Sequence, residues 1–507
     1  MSYGQMRTRV VILGGGTGGT LVANRLRRLF PVDELELTVV DQDDRHVYQP
    51  GLLFVPFGLA HSEDIVRPRR RQLHKGIGFR ESAIDRVDVD ANEVHVADGS
   101  VLAYDVLVIA TGATLVPEET PGLTGPGWME KVFTFYTPEG AAALEAALAT
   151  FDRGRVVVNV VDMPIKCPVA PLEFCFLADW YFHERGIRDR IDLTYVTPLD
   201  GAFTKPVASK HLAGMLTEKG IELVTEFNTG EVDGAGGRLV SYDEREVPFD
   251  LAVVIPLHGG AEYVGRSPGL GDDLNFVLAD EHTLQAKAAP NVFVIGDAAN
   301  VPTSKAGSVT HFEGETLVEN VRRHLAGEPL IEGFDGHANC FIETGFHKAL
   351  LIDFNYDTEP LTGHYHGPVG LPLRPDTLHV TTMDHYKNAI DDLKEPTRSL
   401  SRMIPDVWAG FSHLHGASVA DGALSAKVKE LMALSIAVVK QCDGCIAYHT
   451  KAAVRRGASA EEVAETLGVA LLMDGGTASV YGPRAWDAYQ EFAAPPPEAT
   501  VVTVAAE

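Results

Sequence analysis

The chain has 507 residues, enough for about three domains at roughly 150 residues each. Its composition, 45% hydrophobic and 22% charged with 49 glycines, is that of a globular protein and excludes a fibrous or fully disordered one. With 43 Lys plus Arg against 70 Asp plus Glu, the net charge of −27 disfavours nucleic acid and anionic lipid as general partners.

Residues 1–9 run directly into an apolar strand without the pattern of a signal peptide, and no run of about 18 apolar residues predicts a spanning helix. The expected compartment is the cytoplasm. The segment Val10-Val11-Ile12-Leu13 reads as a buried parallel strand, followed by G-x-G-x-x-G at Gly14, Gly16 and Gly19, a helix over 20–29, and a second strand over 35–40 that ends at Asp41. Gly14 permits a tight turn, Gly16 lets a pyrophosphate approach the backbone, and Gly19 lets helix and strand pack closely. The helix N-terminus holds phosphates, and Asp41 stands where a carboxylate accepts from ribose hydroxyls. Strand, glycines, helix, strand and acid in that order predict a Rossmann-like dinucleotide domain. The basic run Arg67-Pro68-Arg69-Arg70-Arg71 reads either as a membrane contact or as a solvated loop, and the loop is favoured.

Two later strands end in marked turns, 104–110 in Thr111-Gly112 and 291–295 in Gly296-Asp297. Between them, the strand over 155–161 opens a second Rossmann-like layer. Its turn, Asp162-Met163-Pro164-Ile165-Lys166-Cys167-Pro168, has no glycine, and its prolines donate no amide. This layer is expected to persist without binding NAD(P)H. Cys167 lies in that turn, where Lys166 is expected to favour its thiolate. Cys175, in an apolar helix, reads as a small core residue.

The Thr111-Gly112 and Gly296-Asp297 strands resemble signatures of two-dinucleotide-domain flavoprotein reductases. Lys166-Cys167-Pro168-Val169-Ala170-Pro171, Asn300-Val301-Pro302-Thr303-Ser304-Lys305 and Asn339-Cys340-Phe341-Ile342-Glu343 are similar to the sulfide:quinone oxidoreductase family over roughly residues 8–360. That resemblance implies FAD, with Asp297 at the ribityl chain, Lys305 near the pyrimidine edge of the flavin, and a helix after Ala298 pointing at the ring. A lysine at 305 is otherwise a surface residue. The resemblance further implies a redox pair, Cys167 and Cys340, joined as a disulfide or trisulfide. Sulfide attacks it and leaves a persulfide on Cys340, and the freed Cys167 thiolate attacks the flavin; a small persulfide or thiol is the other expected partner. No cysteine precedes Cys167, so the flavin is expected to be noncovalent. The family's C-terminal amphipathic helices are not evident in 361–375, which puts quinone access and peripheral membrane contact in question.

A break at Glu395-Pro396-Thr397 introduces a second kind of sequence. Helices are predicted over 403–415, 425–441, 445–456, 459–472 and 479–492, with Ser425 and Ser459 as N-caps and Gly457 as a stop. Cys442-Asp443-Gly444-Cys445 stands at a helix start, where the dipole lowers a thiol pKa. A zinc site lacks a fourth ligand unless His413 or His415 supplies it, so no metal is expected. Glu430, Cys442, Cys445 and His449 closely resemble the redox branch of the alkylhydroperoxidase D-like, carboxymuconolactone decarboxylase superfamily. The resemblance implies Cys445 as attacking thiolate, Cys442 as its disulfide partner, and Glu430 with His449 as proton relay. Gly444 replaces the histidine of the peroxidase prototype.

The expected architecture is α/β. An FAD-binding Rossmann domain (1–115 and 281–330) accompanies a degenerate NAD-type Rossmann domain (116–280). An interface part (331–395), an all-α domain (396–492) and a disordered tail (493–507) follow. The expected activity is FAD-dependent sulfide or persulfide oxidation with electrons leaving to a quinone or to the fused C-x-x-C module. The alternatives are a flavin-to-dithiol relay serving a thiol peroxidase, and a helical domain serving only as an oligomerisation platform. A trimer or hexamer through that domain is expected.

Overall fold

A computed structural model describes residues 7–346, 348–361, 385–440, 442–474 and 476–493. The chain divides into two compact units, Met1–Leu361 and Thr362–Glu507. That division falls ahead of the expected break at 395–397, which lies inside a helix, His385–Met403. Tyr386 and Ile390 at its start are buried in the core of the second unit, and this burial outweighs the local breaker signal. The stretch 362–375 and the tail beyond 493 lie outside the described residues.

The first unit holds two parallel five-stranded sheets. One runs Val292–Val294, Val106–Ile109, Thr8–Leu13, Leu35–Asp41, Ile77–Glu81. The other runs Val132–Phe133, Leu251–Ile255, Gly154–Val160, Ile191–Val196, Ile221–Val224. Parallel strands are covered on both faces and so read as unbroken apolar runs. Val106–Ile109 and Leu251–Ile255 are buried at every residue. The two layers are the tandem Rossmann-like pair expected from the sequence. They are linked by a short antiparallel pairing of Thr114–Leu115 with His258–Gly259.

Three features carry the first unit's chemistry. The helix Thr17–Leu29 reaches back into the glycine turn, three residues before its expected start. The loop 161–169 joins the strand Gly154–Val160 to the helix Ala170–Glu184. The hairpin Ala338–Gly345 with Lys348–Phe354 is tied to that helix, where the Glu343 amide donates to the Glu173 carboxylate at 3.0 Å. The helix expected just after Ala298 begins only at Gly307. Lys305 is held extended by a bridge to Lys166 and by its carbonyl, which accepts from the Cys167 amide at 2.5 Å.

The second unit contains the helices His385–Met403, Pro405–Val419, Ala426–Val439, Asp443–Arg455, Ala460–Asp474 and Gly476–Ala493. The Ser425 hydroxyl accepts from the Val428 amide at 3.3 Å and caps the third of these. Gly457, at φ +74°, ends the fourth, as glycine permits. Leu434, Val438, Ile446, Ala447, Val463 and Ala485 form the core. Among the described residues no helix is long and apolar enough to cross a membrane.

Candidate active site

The glycine turn is shaped as a phosphate cradle. A methyl group on Gly14, at φ +93°, would lie 2.4 Å from the Ala110 carbonyl oxygen, and one on Gly19 would lie 1.8 Å from that of Gly14. One on Gly16 would meet nothing within 4 Å, so the space beside it is open for a ligand. The Gly15 amide donates to Asp41 at 2.7 Å, and Arg69 pairs with the same carboxylate at 3.0 Å. Burial raises the Asp41 pKa, and Arg69 opposes the rise. Thr111 meets the Tyr263 hydroxyl at 3.3 Å, and Gly112 takes φ +70°. These residues fit the dinucleotide that the sequence implies. Gly16→Ala should leave the melting temperature of the flavin-free protein within a few degrees of wild type. It should weaken FAD binding at least about tenfold, because the methyl takes the pyrophosphate's space. Gly19→Ala should instead disrupt the turn itself. Calorimetry and a flavin-fluorescence titration separate the two outcomes.

Two arginines of the basic run, Arg69 and Arg70, are held by carboxylates. Arg69 also pairs with Asp43 at 3.3 Å, and Arg70 pairs with Asp44 and Glu81 and lies over the Phe79 ring.

Around the second signature the groups are buried. Burial raises the Asp297 pKa against the opposing charges of Lys305 and Lys166. Glu313 accepts from the Gly296 amide at 2.6 Å, and burial pushes its carboxyl up to about 8. Lys305 is no surface lysine. Its ammonium donates to the carbonyls of Asp297 and Ala299, each at 2.9 Å, and lies 3.9 Å from the centre of the Phe276 ring.

Cys167 takes the left-handed conformation at φ +49°, a strained one for a side chain of its kind. Its amide is spent on Lys305, its carbonyl accepts from the Tyr136 hydroxyl at 3.2 Å, and the Met163 amide is spent on Asp162. With those two amides occupied and Pro164 and Pro168 donating nothing, the turn offers a phosphate few amides. Lys166 does not activate Cys167 as expected, since its ammonium reaches Gln49 at 3.3 Å. Burial, then the charges of Glu173 and Cys340, push the Cys167 thiol well above its usual range. Cys340, on the hairpin, is pushed up to about 12 by burial and by Glu173, with the Ser308 hydroxyl opposing. Both cysteines are half-buried and unbridged, so the expected disulfide or trisulfide is not formed in this state. Cys175 is a core residue between Phe174 and Phe176.

Two residues here escaped the sequence reading. Glu173 is buried on the helix that follows Cys167, and its carboxyl is pushed up to about 8 by burial, which outweighs the Glu343 amide. It therefore stands protonated at neutral pH beside both sulfurs. His258 lies edge-on to the Tyr136 ring with centres 5.5 Å apart. Its Nδ1 meets the Pro256 carbonyl at 2.9 Å, and its buried Nε2 has no hydrogen-bond partner among the described residues. Burial, then Lys166 and Lys305, drive its pKa down to about 3, so the ring is neutral. An acid six residues after a cysteine and a lone histidine after a strand carry no motif that marks them.

In the second unit Cys442 and Cys445 form a disulfide, and the Cys442 sulfur caps the helix by accepting from the Cys445 amide at 3.3 Å. Buried Glu430 meets His449 Nδ1 at 2.8 Å and Arg456 at 3.7 Å, so the two residues of the expected relay do pair. His415 lies 6.1 Å from His449 between ring centres. No group of His, Cys, Asp and Glu suited to a metal occurs among the described residues.

Comparison with known proteins divides along the same line. Residues 8–160 match the pyridine nucleotide-disulphide oxidoreductase family, and residues 405–488 match the carboxymuconolactone decarboxylase family. The mitochondrial sulfide:quinone oxidoreductase of Dictyostelium discoideum is 29% identical over 356 residues, which is 69% of this chain and 78% of that protein. An uncharacterized protein of Cupriavidus necator is 34% identical over 99 residues, 20% of this chain and 88% of its own. The crystal structure of the sulfide:quinone oxidoreductase of Aquifex aeolicus superposes with TM-score 0.59 at 22% identity, covering 69% of this chain and 84% of that one, and bears on fold alone.

Proposed function

We propose that the chain, whose residues up to about 360 align with sulfide:quinone oxidoreductases and whose residues 405–488 match the carboxymuconolactone decarboxylase family, oxidises sulfide through Cys167 and Cys340 and passes the electrons to a quinone. Its class is settled more broadly: it is a flavin-dependent oxidoreductase acting on sulfur compounds. One observation carries the finer reading. The turn where a nicotinamide dinucleotide would dock is instead built around Cys167, and Cys340 and an uncharged acid, Glu173, come to the same place.

The reaction starts from the bridged pair. Hydrosulfide attacks Cys340, the sulfur–sulfur bond to Cys167 breaks, and the products are a Cys340 persulfide and a Cys167 thiolate. Burial disfavours that thiolate, so Glu173 gives it a proton or a hydrogen bond, and the strained turn holds the sulfur in place. Asp297 and Lys305 orient the cofactor, and FAD, when bound, supplies the two-electron sink. A second sulfide, sulfite or a thiol removes the persulfide sulfur, and the two reduced cysteines then re-form the Cys167–Cys340 bond, losing their protons and giving two electrons to the FAD that Asp297 and Lys305 would hold.

An anaerobic donor screen tests this. Sulfide or glutathione persulfide should bleach the flavin's visible band, and NADH should not. Bleaching by NADH alone would reject the reading together with the interpretation of the missing glycines.

A second outlet has its own support. The Glu430–His449 pair beside the Cys442–Cys445 disulfide favours a thiol–disulfide function for the helical module, which would receive or supply electrons separately. The helix Pro405–Val419 buries none of its residues, and Val407, Phe411 and Leu414 stand exposed along it. That face supports assembly into a homo-oligomer such as a trimer or hexamer.

A further inference from the structure

Asp443 stands between the capping Cys442 and Gly444, at the first position of the helix Asp443–Arg455. One of its carboxylate oxygens, Oδ2, faces Arg484 Nη1 at 3.3 Å; the other, Oδ1, is buried and has no hydrogen-bond partner among the described residues. Arg484 comes from a different helix, Gly476–Ala493, and its guanidinium lies 4.7 Å from the centre of the Tyr481 ring. Burying an unpartnered carboxylate oxygen opposes folding, and a partly exposed ion pair repays little of that. The helix dipole favours a carboxylate in this first turn, so stability accounts for part of the arrangement.

Its place in the chain suggests a different role. A carboxylate next to a cysteine disfavours the thiolate, and a nearby guanidinium favours it. We propose that Asp443 and Arg484 act as opposed positioning charges that set the thiol–disulfide equilibrium of Cys442–Cys445. Asp443 biases the pair toward the disulfide, and Arg484 biases it toward the dithiol. The inference rests on the reading that this disulfide is redox-active. The reaction is exchange with a small thiol. Two glutathione molecules lose two protons and two electrons and become glutathione disulfide, while the Cys442–Cys445 bond breaks and each sulfur gains a proton, or one stays as thiolate.

The test equilibrates the full-length holoenzyme with glutathione redox buffers at pH 8 and reads the Cys442–Cys445 peptide by differential alkylation and mass spectrometry. Arg484→Gln should shift the equilibrium toward the disulfide about three- to tenfold, and Asp443→Asn should shift it a similar amount toward the dithiol. The double variant should return near wild type, and Arg484→Lys should hold close to it. A structural role would not produce opposite signs, so shifts in the same direction, or none, overturn the proposal. A wild-type disulfide that no buffer reduces overturns both the proposal and the redox reading beneath it. Shifts of opposite sign that sum in the double variant support it.

Discussion

Replacing Cys340 by serine is expected to abolish flavin bleaching by sulfide, with the anaerobic rate falling roughly three orders of magnitude or more in stopped flow. Serine matches the thiol closely in size, and the backbone of the hairpin, paired Cys340 to Ile352, is untouched. What it removes is the capacity to form a sulfur–sulfur bond, and neither the proposed bridge nor the persulfide exists without one. Cys167→Ser should be equally inactive, because cysteines acting as a unit do not contribute separately. Cys442→Ser should reduce its flavin at the wild-type rate, since sulfide attack in the first unit needs nothing from the second. A Cys340→Ser enzyme that still bleached with sulfide would move the chemistry away from the pair altogether.

The same residues show how far sequence reading reaches. The cradle was legible because its demands are local: a methyl on Gly19 has no room, and one on Gly16 would stand in the ligand's space. The parallel strands announced themselves as apolar runs, and the helical module through spaced caps and the C-x-x-C motif. Lys166 was misjudged because adjacency in sequence does not fix where a long side chain goes, and its ammonium goes to Gln49. Glu173 was invisible for a related reason. A glutamate within an apolar helix has no pattern of its own, and its role comes from the hairpin that folds over it from 170 residues away. The break at 395–397 failed because tertiary burial of Tyr386 and Ile390 overrode a local signal.

Glu173 leads to the second large effect. With its carboxyl near 8 it is neutral at pH 7 and able to donate to the thiolate that sulfide attack releases. Above about pH 8 it ionises, and its charge then faces both cysteines and the incoming hydrosulfide. Sulfide-driven flavin reduction should therefore fall as pH rises above about 8. Glu173→Gln should lower the rate about 10²-fold at pH 7, as loss of a general acid does, and should also erase the alkaline decline, because the amide cannot ionise. Stability offers an independent check with a defined sign. The folded protein keeps this proton to about pH 8, and the unfolded chain releases it near 4.5, so folding binds the proton across that window and stability declines as pH rises through it. Urea unfolding at pH 5 and pH 8 should show Glu173→Gln losing less stability between the two than wild type, by roughly 4 kcal/mol. A variant that lost activity yet kept both the alkaline limb and the wild-type stability slope would show that Glu173 only shapes the helix. The proton then would have to come from elsewhere, and neutral His258, driven down to about 3, is too weak a base to have carried it.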